Sequence, residues 1–153
     1  MLPVKKILAP TDFSEIALET LGVAAELARH FGAELEVLHV IPTVPALPAD
    51  PHYNFEVPAY QEALRAEAEK RLAETVKTRV GEQIPTRTRV SYGDPAREIV
   101  RAAEDDGVDL IVIATHGLTG WQHLVFGSVA EKVVRLASCP VLTIRERRHA
   151  GGG

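Results

Sequence analysis

The sequence predicts an α/β protein, a single domain built on a five-stranded, parallel, doubly wound sheet with helices on both faces. Three observations predict it. Strand-like and helix-like stretches alternate along the 153 residues, the pattern of successive βαβ units. The strand-like runs 35–41 and 110–114 are apolar at most positions, as strands covered on both faces must be. Near the C-terminus, the β-branched run Ile111-Val112-Ile113 passes through small residues to Gly127-Ser128, which opens an amphipathic stretch. That is the order strand, loop, helix.

Each element has its own local signal. Residues 6–10 (Lys-Ile-Leu-Ala-Pro) read as a short buried strand. Ser14 is a good N-cap, and Ala17, Leu21, Ala24, Ala28 and Phe31 keep helical spacing until Gly32 ends the helix. Residues 35–41 form the second strand. The stretch 42–58 holds five prolines and no periodicity, which predicts a long loop of the lid or binding type. Tyr60, Leu64, Ala68, Leu72 and Val76 then recur every fourth residue in a helix ending near Gly81. Residues 86–92 alternate, predicting a more exposed strand near a sheet edge. Asp94-Pro95 opens a helix with Ile99, Val100 and Ala103 on its apolar face. The strand 110–114, a helix over 128–137 and the short strand 141–144 complete the pattern. The domain is expected over 1–146, with 147–153 a disordered tail.

Composition narrows the function. A net charge of −4 argues against nucleic-acid binding through a basic surface. Cys139 is the single cysteine, so there is no disulfide framework and no cysteine-rich metal site. No apolar run is long enough to span a bilayer, and residues 1–8 lack the apolar stretch of a signal peptide. The expectation is a cytoplasmic protein without membrane contact.

In doubly wound sheets ligands bind beyond the carboxyl ends of the strands, at the point where strand order switches. Three segments are expected on that rim: Pro10-Thr11-Asp12, Val40-Ile41, and 113–129. Small residues let a backbone approach a ligand, and a helix N-terminus offers unpaired N–H groups and a positive dipole end. The last segment therefore reads as a cradle for a phosphate or nucleotide.

Pro10-Thr11-Asp12, His39-Val40-Ile41, Gly93-Asp94-Pro95 and the terminal block together resemble the universal stress protein family, in its ATP-binding branch. The resemblance covers nearly the whole chain. The family motif is Gly, two residues, Gly, nine residues, Gly, then Ser or Thr. Gly117, the nine residues 118–126, Gly127 and Ser128 match it, with Ala114 in place of the first glycine. Alanine suits that position unless a positive φ or hydrogen-only clearance is needed there.

The resemblance implies a Rossmann-like fold of the adenine nucleotide α-hydrolase type, with ATP as the ligand and Mg²⁺ or Mn²⁺ accompanying it. It implies that Pro10, Thr11 and Asp12 lie on the ribose or adenine side, that the backbone of Val40 reads the adenine edge, and that Ile113 lines the pocket. Ala114, Gly117, Gly127, Ser128 and Val129 would surround the phosphates. The implied protein is a nucleotide-dependent regulatory switch in stress response, not an enzyme, with no catalytic residue and no metal ligand of its own. It would act on an unknown protein partner and pair as a homodimer through its C-terminal strand. Replacing Gly127 by a bulky β-branched residue is expected to block the phosphates and leave the fold intact.

Simpler roles stand beside these. Asp12 can serve as a helix cap, although Ser14 is available for that. His39 reads as a satisfied, partly buried histidine, His116 as structural or loop surface, and Cys139 as an inert, partly buried thiol. Trp121 and His123 can shield phosphates or pack against a second subunit. The alternatives to an ATP switch are a dimeric interaction protein of the same family that binds no nucleotide, and a slow ATP hydrolase. An α-phosphate-cleaving enzyme lacks its glycine-serine loop after the first strand, and no Walker A or Gly-x-Gly-x-x-Gly fingerprint is present.

Overall fold

Ser14 supplies the first boundary that can be checked. In the computed structural model, which describes residues 2–43, 57–116 and 127–146, its hydroxyl accepts from the Ala17 amide and starts helix α1 (Glu15–Phe31). Gly32 ends the helix at φ 66°, a left-handed position where a side chain would crowd the backbone. Around α1 run strands β1 (Lys6–Pro10) and β2 (Glu34–Ile41). Helix α2 (Val57–Arg79), strand β3 (Thr86–Tyr92), helix α3 (Pro95–Asp105), strand β4 (Leu110–Ala114), helix α4 (Ser128–Leu136) and strand β5 (Val141–Ile144) follow.

The strands pair in parallel in the order β3-β2-β1-β4-β5. The expected architecture is present, with β3 and β5 at the edges. Alternation along each strand divides the core in two. Ile7, Ala9, Leu35, Val37 and Val112 pack with Leu21, Ala24 and Ala28 of α1 and Leu72 of α2. Leu8, Leu38, Val40, Ile111 and Ile113 pack with Ile99 and Ala102 of α3 and Val133 of α4. Helices α1 and α2 therefore cover one face, and α3 and α4 the other.

Boundaries differ slightly from expectation. Pro58 lies inside the first turn of α2, where its missing N–H costs nothing. Along α2, Ala68 and Leu72 are buried while Tyr60 stays 49% exposed, so the fourfold repeat is only partly a core stripe. Residues 44–56, most of the proline-rich stretch, lie outside the described residues, as do 147–153, the expected tail. No helix among the described residues is long and apolar enough to cross a membrane.

Edge strand β3 carries Arg87 and Arg89 on the α3 side. Arg89 Nε lies 2.7 Å from Glu36 Oε1, Arg87 Nε lies 3.0 Å from Glu34, and Arg89 also bonds Asp106. Burial pushes the Glu36 carboxyl above the ordinary carboxylate range, against the pull of Arg89. These charges blunt an otherwise open edge.

Candidate functional site

From β1 the chain winds outward to β2 and β3, then returns across the sheet to β4 and β5. The strand order thus switches between β1 and β4, and since all five strands are parallel, their carboxyl ends share one rim. Pro10, Thr11 and Asp12 leave β1 there, Val40 lies near the end of β2, and Ile113 and Ala114 end β4. Gly127 joins them because its amide donates to the carbonyl oxygen of Thr115, which brings Ser128 and Val129 to the same place. Gly117 lies outside the described residues, and so do Trp121 and His123.

The turn after β1 is tightly tied. The Thr11 amide donates to Leu38 O at 2.8 Å. Thr11 Oγ1 accepts from the Phe13 amide, and Asp12 Oδ1 accepts from the Ser14 amide at 2.9 Å. Asp12 thus braces the helix entry while Ser14 performs the N-cap itself, the division of labour the sequence allowed. His39 Nδ1 lies 2.8 Å from the Thr11 carbonyl oxygen. A carbonyl only accepts, so Nδ1 carries the proton and donates. His39 is the satisfied, partly buried histidine expected.

Phe13 is the residue that sequence reasoning missed. Its φ is +64°, the one positive value among the described non-glycine residues. A bulky side chain avoids this region, and nothing in the local sequence signals it. Its ring meets the His39 imidazole at 4.6 Å and the Arg71 guanidinium of α2 at 4.2 Å, and it packs against the core below α1.

On the other side of the rim, Val40 and Ile113 belong to one buried apolar cluster, and Val129 packs against it. With Leu8 of the intervening β1 in the same cluster, they belong to one apolar layer that runs from β2 across β4 to α4. Ala114 has no positive φ and continues the β4 ladder opposite Ile144, so its backbone does not require glycine. Helix α4 begins without a side-chain cap, because Gly127 is the N-cap. Its ladder starts with Glu131 N–H on Gly127 O. The amides of Ser128, Val129 and Ala130 precede that first helical bond and lie at the positive end of the helix.

Gly127 requires a correction. An added Cβ would stand 2.8 Å from Thr115 O, a backbone atom that cannot swing away. A β-branched residue at 127 therefore forces a shift at the joint between β4 and α4, so the substitution is not neutral to the fold. His116 Nδ1 bonds its neighbour's carbonyl, Thr115 O, at 3.0 Å, a local structural contact. Burial pushes the Cys139 thiol above its usual range, which suits the inert role expected of it. Among the described residues there is no group of three or more His, Cys, Asp or Glu side chains placed to hold a metal ion.

A five-stranded doubly wound sheet with an uncapped helix end and an acidic turn at its switch point defines a small Rossmann-type α/β protein. The chain belongs to the universal stress protein family, which it matches over residues 3–145. It is 36% identical to a universal stress protein of Methanocaldococcus jannaschii over 144 residues, 93% of this chain and 82% of that one. The solved universal stress protein UspA from Lactobacillus plantarum superposes with a TM-score of 0.79 at 26% identity, covering 93% of this chain and 98% of that one. The universal stress protein from Archaeoglobus fulgidus in complex with dAMP superposes with a TM-score of 0.64 at 25% identity, over 94% and 99% of the two chains.

Proposed function

We propose that the protein binds an adenine nucleotide, ATP in its full form, across the rim between β1 and β4, and that it acts as a nucleotide-dependent regulatory switch. The observation that carries this reading is the pairing of two opposite chemistries on one rim. An apolar wall of Val40, Ile113 and Val129 adjoins the first-turn amides of α4, those of Ser128, Val129 and Ala130. Adenine needs the first and phosphate the second. The Archaeoglobus fulgidus relative, solved with dAMP, supports the class of ligand.

In this reading Asp12, with Pro10 and Thr11, faces the ribose, and the backbone of Val40 reads the adenine edge. Ala114, Gly117, Gly127 and Ser128 flank the phosphates. Mg²⁺ or Mn²⁺ comes with the triphosphate, held largely by phosphate oxygens and water. The chain leaves the rim at Ile41 and at His116, so binding and release change the surface that a protein partner in the cytoplasm meets. The role is binding and not turnover, and slow hydrolysis of ATP is the alternative to be tested by assaying for ADP.

The protein pairs with a second copy through β5, which among the described residues bonds β4 alone and stands at the edge of the sheet. A second reading is a dimeric interaction protein that binds no nucleotide. Gly127 favours it, since contact with Thr115 accounts for a glycine there without any ligand.

Mass spectrometry of co-purifying small molecules, followed by calorimetry with ATP, AMP and dAMP, separates the two. Asp12→Ala should weaken ATP binding about tenfold, while the loss of one brace on the Ser14 amide costs only about 1 kcal/mol of stability. An unaltered ATP affinity in that variant makes Asp12 a structural brace only. A wild-type protein that binds none of the three nucleotides leaves the interaction-protein reading.

A further inference from the structure

We propose that His39 is a positioning residue for the nucleotide site, holding the turn from Thr11 to Ser14 in the conformation that carries Asp12 on the rim. The inference rests on the nucleotide reading above.

The β1 ladder ends at Pro10, opposite Leu38. Beyond it, consecutive residues of β2 hold both backbone groups of Thr11. The Leu38 carbonyl takes the Thr11 N–H, and the His39 imidazole N–H takes the Thr11 carbonyl. A side chain thus extends the strand pairing by one residue, at the point where the chain must leave the sheet.

The bonds within the turn cannot do this. Phe13 N–H on Thr11 Oγ1 and Ser14 N–H on Asp12 Oδ1 each span two residues and move with the turn. The ties to the rest of the fold include Leu38, His39, the Phe13 ring against His39 and Arg71, and the packing of Phe13 on the core below α1. His39 takes part in two of these contacts, the bond to Thr11 and the ring contact with Phe13. Phe13 needs such support, because a left-handed backbone persists in a bulky residue only where its surroundings over-determine it. Without the imidazole, the Thr11 carbonyl is released, Phe13 loses one of its ring contacts, and the Thr11–Asp12 peptide loses the restraint on its carbonyl side. Val40 follows His39 directly, so one tripeptide of β2 sets both the adenine edge and the acidic turn.

The test compares two variants. His39→Asn keeps a side-chain N–H close to the Nδ1 position, and His39→Leu keeps the bulk without a donor. Each is titrated with ATP by calorimetry, and the amide hydrogen exchange of Phe13 and Ser14 is followed in the nucleotide-free protein. In His39→Leu we expect about tenfold weaker ATP binding and about tenfold faster exchange at those amides, while His39→Asn stays within about threefold of wild type in both. If His39→Leu does not fold, His39→Met, which also lacks a donor, replaces it. Wild-type affinity and exchange in the donorless variant overturn the proposal. So does an equal loss in His39→Asn, which would make the ring's bulk the cause. A wild-type protein that binds no nucleotide overturns the reading of the site, and the exchange of Phe13 and Ser14 still decides whether His39 holds the turn.

Discussion

Gly127 meets Thr115 backbone to backbone: its amide donates to the Thr115 carbonyl oxygen, and a β-carbon on it would stand 2.8 Å from that oxygen. The residue's φ of −69° is open to any amino acid, so clearance, not backbone conformation, demands glycine here. The residue that follows β4 and the N-cap of α4 are thereby clamped together, and the helix presents its first turn at the rim because of that clamp.

Gly127→Ala is therefore expected to destabilise the protein by about 1–3 kcal/mol, the usual cost of inserting a methyl group into a packed contact. Urea unfolding of the nucleotide-free protein measures it. An alanine variant as stable as wild type would show that the joint yields and that glycine serves the ligand instead.

Ser128 offers a cleaner test of the phosphate assignment, because the two effects of a negative charge there have opposite signs. Ser128→Asp places a carboxylate in the first turn of α4, where the dipole favours it by about 0.3–1 kcal/mol. The same charge repels a triphosphate. The expected outcome is an unfolding midpoint at or above that of wild type, with ATP affinity reduced at least about tenfold. Undiminished ATP binding in this variant rules α4 out as the phosphate end.

Leu142 reports on assembly. It lies on the open edge strand β5 and is 39% exposed, with Val134 and Leu136 of α4 also exposed. A two-fold pairing of β5 with its own copy covers the edge and closes at two subunits. Leu142→Lys should yield monomers by light scattering where the wild type gives dimers. A wild type that is monomeric at micromolar concentration excludes the edge-to-edge dimer.

Asp109 carries a pH dependence of known sign. Its Oδ2 accepts from the backbone amides of Lys5 at 2.8 Å and Lys6 at 3.0 Å, joining the start of β1 to that of β4. The Lys5 amide above all, with that of Lys6, holds the carboxyl below its ordinary value of 3.8. A carboxylate depressed on folding stabilises fully above the unfolded value and loses that contribution as pH falls through the folded one. Asp109→Ala should cost about 1–2 kcal/mol near neutral pH, and the gap should narrow well below pH 4. A gap of equal size in acid and at neutrality would mean that the charge contributes nothing.

The course of the chain was legible from short-range signals. Ser14 and Asp94 cap helices where their sequence context says they should, Gly32 stops α1, and the alternating 86–92 run is an edge strand. Such features depend on a few neighbouring residues and on periodicity, which a sequence displays directly. The rim itself was legible too, because a parallel sheet puts the ends of its strands on one side. Family likeness supplied the ligand class proposed for it, and the remaining site detail came from contacts distant in sequence.

What the sequence determined by itself was the alternation of strands and helices, the boundaries of most elements, and which segments end on a common rim. It determined these because hydrophobic period, caps and turn residues act locally. Tertiary structure alone decided that Phe13 adopts a left-handed backbone, that His39 holds the Thr11 carbonyl from 28 residues away, and that Gly127 is glycine for the sake of Thr115. Each of these depends on two strands or a strand and a helix arriving at the same point, where the cost of a strained dihedral or the clearance of a missing methyl group is set by the partner and not by the residue's own neighbours.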